Sequence, residues 1–236
     1  MNSLIVGYGE IGRALEKVLV HYYQVWNVDK DGSLIGRGVN GYGYINPNPK
    51  FEILHICFGY SDEFISEVKR YQELYKPKYT VIHSTVPVGT CREIDCYSIH
   101  SPCIGQHPFL EEGLRTFPKM LGGEWASQVA DYFRRAGLKV VLFDKQETTE
   151  SAKLFLTEYY RECINFTKRV KTYCDKHDLS FHEIYTIPNE IYNSGYKKLG
   201  YEEFVRPILQ PIMTPISGHC VEPNKLLIKL SENENG

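Results

Sequence analysis

Apolar residues in the first part of the chain fall into short unbroken runs separated by helical repeats. Leu4-Ile5-Val6 leads into a glycine turn, and residues 14–20 (Ala-Leu-Glu-Lys-Val-Leu-Val) follow with amphipathic helical spacing. Val25-Trp26-Asn27-Val28-Asp29 reads as a second strand that ends in an acid, and residues 31–49 as a glycine-rich loop without a helix. Residues 51–58 (Phe-Glu-Ile-Leu-His-Ile-Cys-Phe) read as a buried parallel strand. A helix is predicted over 63–75, with Ser61 or Asp62 to cap it, then a strand at 80–83 and a loop at 84–90. Residues 97–123 are less regular and close on a short strand and turn at 119–123; a helix over 124–136, stopped by Gly137, and a strand over 138–143 complete the series. Strands alternating with helices predict βαβ units and a doubly wound, mostly parallel α/β sheet.

The period then changes. Residues 148–178 hold no proline or glycine and read as one helix of about 30 residues, longer than the usual 8–20 of a globular helix. Further helical segments are expected at about 180–194 and 201–209. Pro207, Pro211 and Pro215 break the chain before Ser217-Gly218-His219-Cys220, and residues 226–230 form a last short element. The predicted organisation is a sheet domain over 1–146, a smaller all-α domain over 147–230 and a disordered tail over 231–236.

Composition narrows the class. Among 236 residues, 42% are hydrophobic and 24% charged, enough apolar material for a real core. A net charge of −2 gives no reason to expect a nucleic acid or an anionic membrane surface as partner, and no apolar run reaches the length of a membrane span. No signal peptide is expected. Seven cysteines, scattered without close Cys-x-x-Cys pairs, argue against a disulfide framework or a thiolate metal site and fit a reducing cytoplasm; no metal site is expected. The 18 tyrosines have no functional account.

The first turn carries the chemistry. Gly7-Tyr8-Gly9-Glu10-Ile11-Gly12 has the Gly-x-Gly-x-x-Gly spacing of a dinucleotide-binding Rossmann turn, in which each glycine has a steric task. The first lets the chain turn out of a strand, the second lets the backbone approach a pyrophosphate, and the third lets the helix pack close. The helix N-terminus then faces the phosphates. Asp29 stands near the roughly 20-residue offset expected of a carboxylate that binds the adenosine ribose. It favours NAD, while Lys30 and Arg37 leave NADP open. Gly59 and Thr85, on the loops after the third and fourth predicted strands, complete the cofactor set with residues 7–12, Asp29 and Lys30. The loops at 7–12, 29–32, 58–62 and 84–90 are expected to ring one crevice at the carboxyl ends of the strands.

Together with that turn, Ser-Thr-Val-Pro-Val-Gly-Thr at 84–90 and Gly-His-Cys at 218–220 resemble the UDP-glucose/GDP-mannose (nucleotide-sugar) dehydrogenases, within the broader 6-phosphogluconate dehydrogenase-like superfamily. The resemblance covers nearly the whole chain. It implies that Cys220 is a nucleophile toward an aldehyde formed from a sugar alcohol and that Lys153 on the long helix assists. It also implies that Thr85 lies near the nicotinamide and that Asn165 and His219 belong to the substrate site. Thr157 stands where the family has asparagine. The family's Ser-Pro-Glu-Phe-Leu-x-Glu-Gly stretch is split between Ser101-Pro102 and Phe109-Leu110-Glu111-Glu112-Gly113, so that its first glutamate is Cys103 in one register and Pro108 in the other. Val221-Glu222-Pro223-Asn224 replaces the sequence that follows the family's cysteine, and the family's C-terminal domain is expected to be missing.

From the residues alone, His219 beside Cys220 favours a thiolate, against the bland reading of a buried structural cysteine. Lys153 falls in a first helical turn, where the helix dipole does not favour a lysine. His100 and His107 flank a Pro/Gly loop and are weighed as acid–base groups against structural roles. The function expected is an NAD-dependent oxidoreductase (NADP not excluded) acting on an alcohol of a sugar, nucleotide-sugar or sugar-phosphate derivative. A dinucleotide-binding sensor or partner subunit without turnover is the alternative; a simple two-electron dehydrogenase that uses Lys153 but not Cys220 is a third. Phe155, Tyr159, Tyr160, Ile164 and Phe166 on the long helix predict a homodimer.

Overall fold

A computed structural model describes residues 2–29, 34–38, 49–105, 108–211 and 221–233. Eight strands form one sheet: β1 (Asn2–Val6), β2 (Gln24–Val28), β3 (Leu34–Arg37), β4 (Ile53–Ile56), β5 (Tyr79–Ile82), β6 (Ser98–His100), β7 (Lys119–Gly122) and β8 (Val140–Phe143). Their order across the sheet is β3-β2-β1-β4-β5-β6-β7-β8. All neighbouring pairs are parallel except β2–β3 and β6–β7. Helices α1 (Glu10–Leu19), α2 (Phe64–Tyr75), α3 (Thr90–Ile94), α4 (Leu110–Thr116) and α5 (Ala126–Arg135) connect the strands. The chain leaves β1 toward β2 on one side and returns to β4 on the other. The strand order therefore reverses between β1 and β4, the switch point at which such sheets bind ligands.

Both faces of the sheet are covered, which explains why the central strands are runs of apolar residues without alternation. One core joins Ile5, Val81, Ile99 and Leu121 to Leu15 and Val18 of α1 and to Val129 and Phe133 of α5. The other joins Leu4, Leu54, Ile56 and Ile82 to Phe64 and Val68 of α2. Helix α6 (Gln146–Lys176) follows, then a π-helical turn over His182–Thr186 that runs into α7 (Ile187–Leu199), and finally α8 (Val221–Asn233). Backbone contacts divide the chain into Met1–Leu154 with Leu227–Gly236, and Phe155–Leu226. No helix among the described residues is long and apolar enough to cross a membrane.

Several local expectations change. The glycine-rich loop after Asp29 holds β3, a short antiparallel edge strand whose Ile35 is exposed, so its side chains give no apolar pattern to read. The helix expected over 201–209 is only a 3₁₀ turn, Glu202–Phe204. Pro207 disfavours helix at Arg206, and Asn193 takes over that residue's backbone groups, with its Nδ2 donating to the Arg206 carbonyl and its Oδ1 accepting the Arg206 N–H, both at 2.9 Å. The tail expected from 231 begins inside α8, where Ser231 Oγ accepts the Val88 N–H at 2.9 Å and its hydroxyl donates to the Leu227 carbonyl. The π turn ends at Thr186, two residues before Pro188; this proline, in the first turn of α7, lacks the N–H that would continue the α-helical bonds backward.

The first core also holds a line of buried polar side chains. Tyr132 Oη lies 2.6 Å from Ser3 Oγ and 3.2 Å from His55 Nε2, and His55 Nδ1 lies 3.0 Å from His83 Nε2. Lys119 Nζ ends the line, 3.0 Å from His83 Nδ1. Burial, aided by the Lys119 charge, pulls the His55 imidazole down to about 3 and pushes His83 well below the usual range. The unfolded chain takes up protons below about 6.5 that the folded chain refuses until about 3, so falling pH favours unfolding across that interval. Each such histidine contributes about 1.4 kcal/mol per pH unit to the slope. Urea unfolding at pH 7.5 and 5.5 is expected to show a lower midpoint at 5.5, and His55→Gln to flatten that dependence; an unchanged slope in the variant would contradict the reading.

Candidate functional site

The turn after β1 has the steric logic its spacing predicts. Gly7 has φ +89°, and a Cβ there would meet Phe58 N at 2.7 Å. At Gly12 a Cβ would lie 2.2 Å from the Gly7 carbonyl oxygen, so α1 packs on the turn only without a side chain. Gly9 is different: a Cβ there meets nothing within 4 Å, and the residue caps α1 without a side-chain bond. Two glycines close the fold and the middle one faces open space. The N-cap of α1 therefore carries no capping side chain and opens on free space, as an anion requires.

Beside this turn lies a cavity of about 410 Å³ lined by Val6, Gly7, Asp29, Phe58, Gly59 and Tyr60, among others. A Cβ at Gly59 would also meet nothing within 4 Å. The sequence analysis did not identify Tyr60 or Tyr71, whose side chains also line the cavity. The Tyr8 hydroxyl donates to the Glu16 carboxylate, which also accepts from Asn27 Nδ2 and Arg37 Nε, each at 2.9 Å. Tyr8 is therefore tied to α1, and Arg37 spends its Nε–H on a buried carboxylate while half its side chain stays exposed. Ile11 packs against the first core and Glu10 opens α1. Lys30 lies outside the described residues.

The loop 84–90 adjoins the same strand ends. Ser84 Oγ donates to the Phe58 carbonyl at 2.5 Å, which links this loop to the cavity rim, and Thr85 beside it is half-buried. Helix α6 grips the loop from its other end. The buried Glu150 carboxylate accepts the N–H groups of Gly89 at 2.7 Å and Cys91 at 2.9 Å, which caps α3. Burial raises the Glu150 carboxyl, and these two N–H groups pull it back toward ionisation. One turn later, Lys153 Nζ donates to the Cys103 carbonyl at 2.9 Å. His100 is closed off as an acid–base group. It is buried, its Nε2 lies 3.1 Å from the Ser84 carbonyl and its Nδ1 2.9 Å from Thr149 Oγ1, and burial brings it down to about 3.

Sequence reasoning also missed Glu150 and Lys119. Nothing in a single sequence distinguishes a buried glutamate on an amphipathic helix from an exposed one. Lys119 did leave a signal: strand alternation puts it on the face of Leu121, which is core. Asn165 is half-buried on the part of α6 that belongs to the helical unit. His107, His219 and Cys220 lie outside the described residues. Ile164, expected on an exposed face of α6, is buried, whereas Phe155, Tyr159, Tyr160 and Phe166 are exposed. Among the described residues, no group of three or more His, Cys, Asp or Glu side chains forms a metal site.

No family model matches the sequence, and no curated protein matches it. Solved structures do match in fold. A UDP-D-ManNAc dehydrogenase from Pyrococcus horikoshii superposes with a TM-score of 0.73 at 16% identity, covering 97% of this chain and 64% of that one. The fold is similar to that of this dehydrogenase over the part of it that the chain covers. An NDP-N-acetyl-D-galactosaminuronic acid dehydrogenase from Methanosarcina mazei gives 0.70 at 12% identity, over 99% of this chain and 61% of that one. The 3-hydroxyisobutyrate dehydrogenase of Mycobacterium tuberculosis gives 0.58 at 13%, over 82% of this chain and 70% of that one. The chain thus spans about two thirds of the length of these nucleotide-sugar dehydrogenases. It shares with them the sheet unit and the long helix, in agreement with the predicted fold class and resemblance.

The two kinds of glycine should separate on substitution. Gly12→Ala forces a methyl group into a backbone carbonyl and is expected to cost about 2 kcal/mol or more. Gly9→Ala should change stability by about 0.5 kcal/mol or less. Thermal or urea unfolding of both variants checks this, and equal losses would contradict the assigned roles.

Proposed function

We propose that this chain is an NAD-dependent oxidoreductase acting on an alcohol of a sugar, nucleotide-sugar or sugar-phosphate derivative. The observation that carries the reading is the contrast within the glycine turn, closed at Gly7 and Gly12 and open at Gly9, at a cavity that also holds Asp29. A pyrophosphate fits the α1 N-terminus, with Gly7, Gly9, Glu10, Ile11 and Gly12 offering backbone and Gly59 close approach. Asp29 suits ribose hydroxyls and repels a 2′-phosphate, which favours NAD over NADP. A bound nicotinamide supplies the hydride acceptor.

The chain's own groups supply the rest. Lys153, which donates to the Cys103 carbonyl, is the proposed cation that polarises a substrate oxygen, with the Thr85 hydroxyl nearby in sequence to the Ser84 rim. Cys220, with His219 beside it favouring the thiolate, is the proposed nucleophile toward an aldehyde product, and Asn165 a proposed substrate contact. The sheet domain and the helical domain, divided near 146, are the proposed functional halves. Exposed Phe155, Tyr159, Tyr160 and Phe166 support a homodimer through α6, in a reducing cytoplasm.

A second reading, a dinucleotide-binding sensor or partner subunit, is favoured by one observation. Cys103, which one of the two registers sets at the position of the family's glutamate, is buried with its sulfur toward Lys119. Titration with NADH and NADPH, followed by nicotinamide fluorescence, separates the cases. NADH should bind, and Gly9→Trp should weaken it by about tenfold or more while leaving the melting temperature nearly unchanged. Binding with turnover of sugar alcohols, lost in Cys220→Ala, supports the enzyme; binding without turnover supports the sensor. If neither nucleotide binds, the dinucleotide reading falls. Light scattering at micromolar concentration is expected to give twice the chain mass, and a monomer would exclude the α6 dimer.

A further inference from the structure

Lys119 is a lysine inside a protein core, 2% exposed, with no carboxylate among its hydrogen-bond partners. Its Nζ is held 2.8 Å from the Ser101 carbonyl and 3.0 Å from His83 Nδ1, which fixes the amine in position. From there it lies 3.7 Å from Cys103 Sγ, itself 6% exposed. Cys57, also buried, completes the set. These groups sit after β4, β5 and β6 and at the start of β7, and neither the Lys119 amine nor the Cys103 thiol takes part in the chemistry proposed above. Burial disfavours the ammonium and so favours the neutral amine, which is the nucleophilic form. A thiol with an amine fixed this close has a partner ready for the first product of its oxidation.

We propose that Cys103 and Lys119 form a peroxide-responsive covalent N–S bridge, a sulfenamide that thiol reductants reverse. Peroxide oxidises the Cys103 thiol to sulfenic acid and is itself reduced by two electrons, releasing one water. The Lys119 amine attacks the sulfur, the N–S bond forms, and the sulfenic oxygen leaves as a second water. Thiol, amine and hydrogen peroxide thus give the sulfenamide and two waters. Closing the gap from 3.7 Å to a covalent bond draws the Cys103 segment toward β7, and this segment carries the carbonyl that holds Lys153. Oxidation would therefore reset the position of Lys153, whatever the reaction at the crevice.

The test reads the bond and not activity. Native protein is treated with a small excess of hydrogen peroxide, denatured with an alkylating reagent, cut with a glutamate-specific protease and analysed by mass spectrometry. The expected product joins the Cys103 and Lys119 peptides at about 2 Da below their summed mass and disappears after dithiothreitol. Lys119→Arg keeps a long basic side chain but no nucleophilic amine; in it the bridge is expected to vanish and dimedone labelling of Cys103 to rise. Recovery of Cys103 as free thiol, as a sulfinic acid beside an unmodified Lys119, or as a Cys57–Cys103 disulfide would each overturn the proposal. These readings on the native sequence decide it even if the variant fails to fold.

Discussion

Much of this site depends on one buried carboxylate. Glu150 is taken out of water with no ion pair to a cation among the described residues, a placement that costs several kcal/mol unless hydrogen bonds replace the lost hydration. Two backbone N–H groups, those of Gly89 and Cys91, supply the replacement. The bond works in both directions. It caps α3 and so fixes the end of the 84–90 loop, and it fixes the first turns of α6 against the sheet. Thr149 on the preceding residue reaches His100 of β6, and Lys153 one turn later reaches the Cys103 carbonyl. Within two turns a single helix thus touches the segments that follow β5 and β6. Because Gly122 would set a Cβ 2.4 Å from Thr149 Oγ1, the helix can come this close only over a glycine.

The fold was legible where the sequence carries a period or a steric rule. The runs at 4–6 and 51–58, the helix ended by Gly137 and the proline-free stretch from 148 all correspond to elements, because burial on both faces of a sheet or along a helix imposes a pattern. What escaped is governed by partners distant in sequence. Strand β3 exists because β2 has an open edge, and its own four residues show no alternation. The 201–209 segment reads as helical, but after the 3₁₀ turn Glu202–Phe204, Asn193 takes the backbone groups of Arg206 and Pro207 follows. At the site, the glycine spacing announced its own geometry, since each glycine answers a local clash. Lys153 was found through the motif around it, while its acceptor, a backbone carbonyl, has no sequence signature at all.

The interior of the sheet unit is more polar than its hydropathy suggests. Ser3, Tyr132, His55, His83 and Lys119 connect one side chain to the next through the first core. Each member satisfies another, so the loss of one leaves a neighbour without its partner in a place that water does not reach. Such a line is less tolerant of substitution than an apolar core of equal volume. It also restricts how β1, β4, β5 and β7 can be arranged, because a shift of register by one residue would turn the polar groups to the opposite face.

Strand β1 lies in the middle of the sheet although it comes first in the sequence, paired with β2 on one side and with β4 on the other. On a ribosome, its partner for the first edge emerges soon after it, but the second edge stays open until Ile53–Ile56 has been made. At synthesis rates of about 5–20 residues per second, an apolar strand edge is therefore exposed for seconds on every nascent chain. In the folded chain α1, packed on Gly7 through Gly12, covers the face of β1 that carries Ile5. The glycine pair that shapes the turn thus also lets α1 cover one face of this hydrophobic segment.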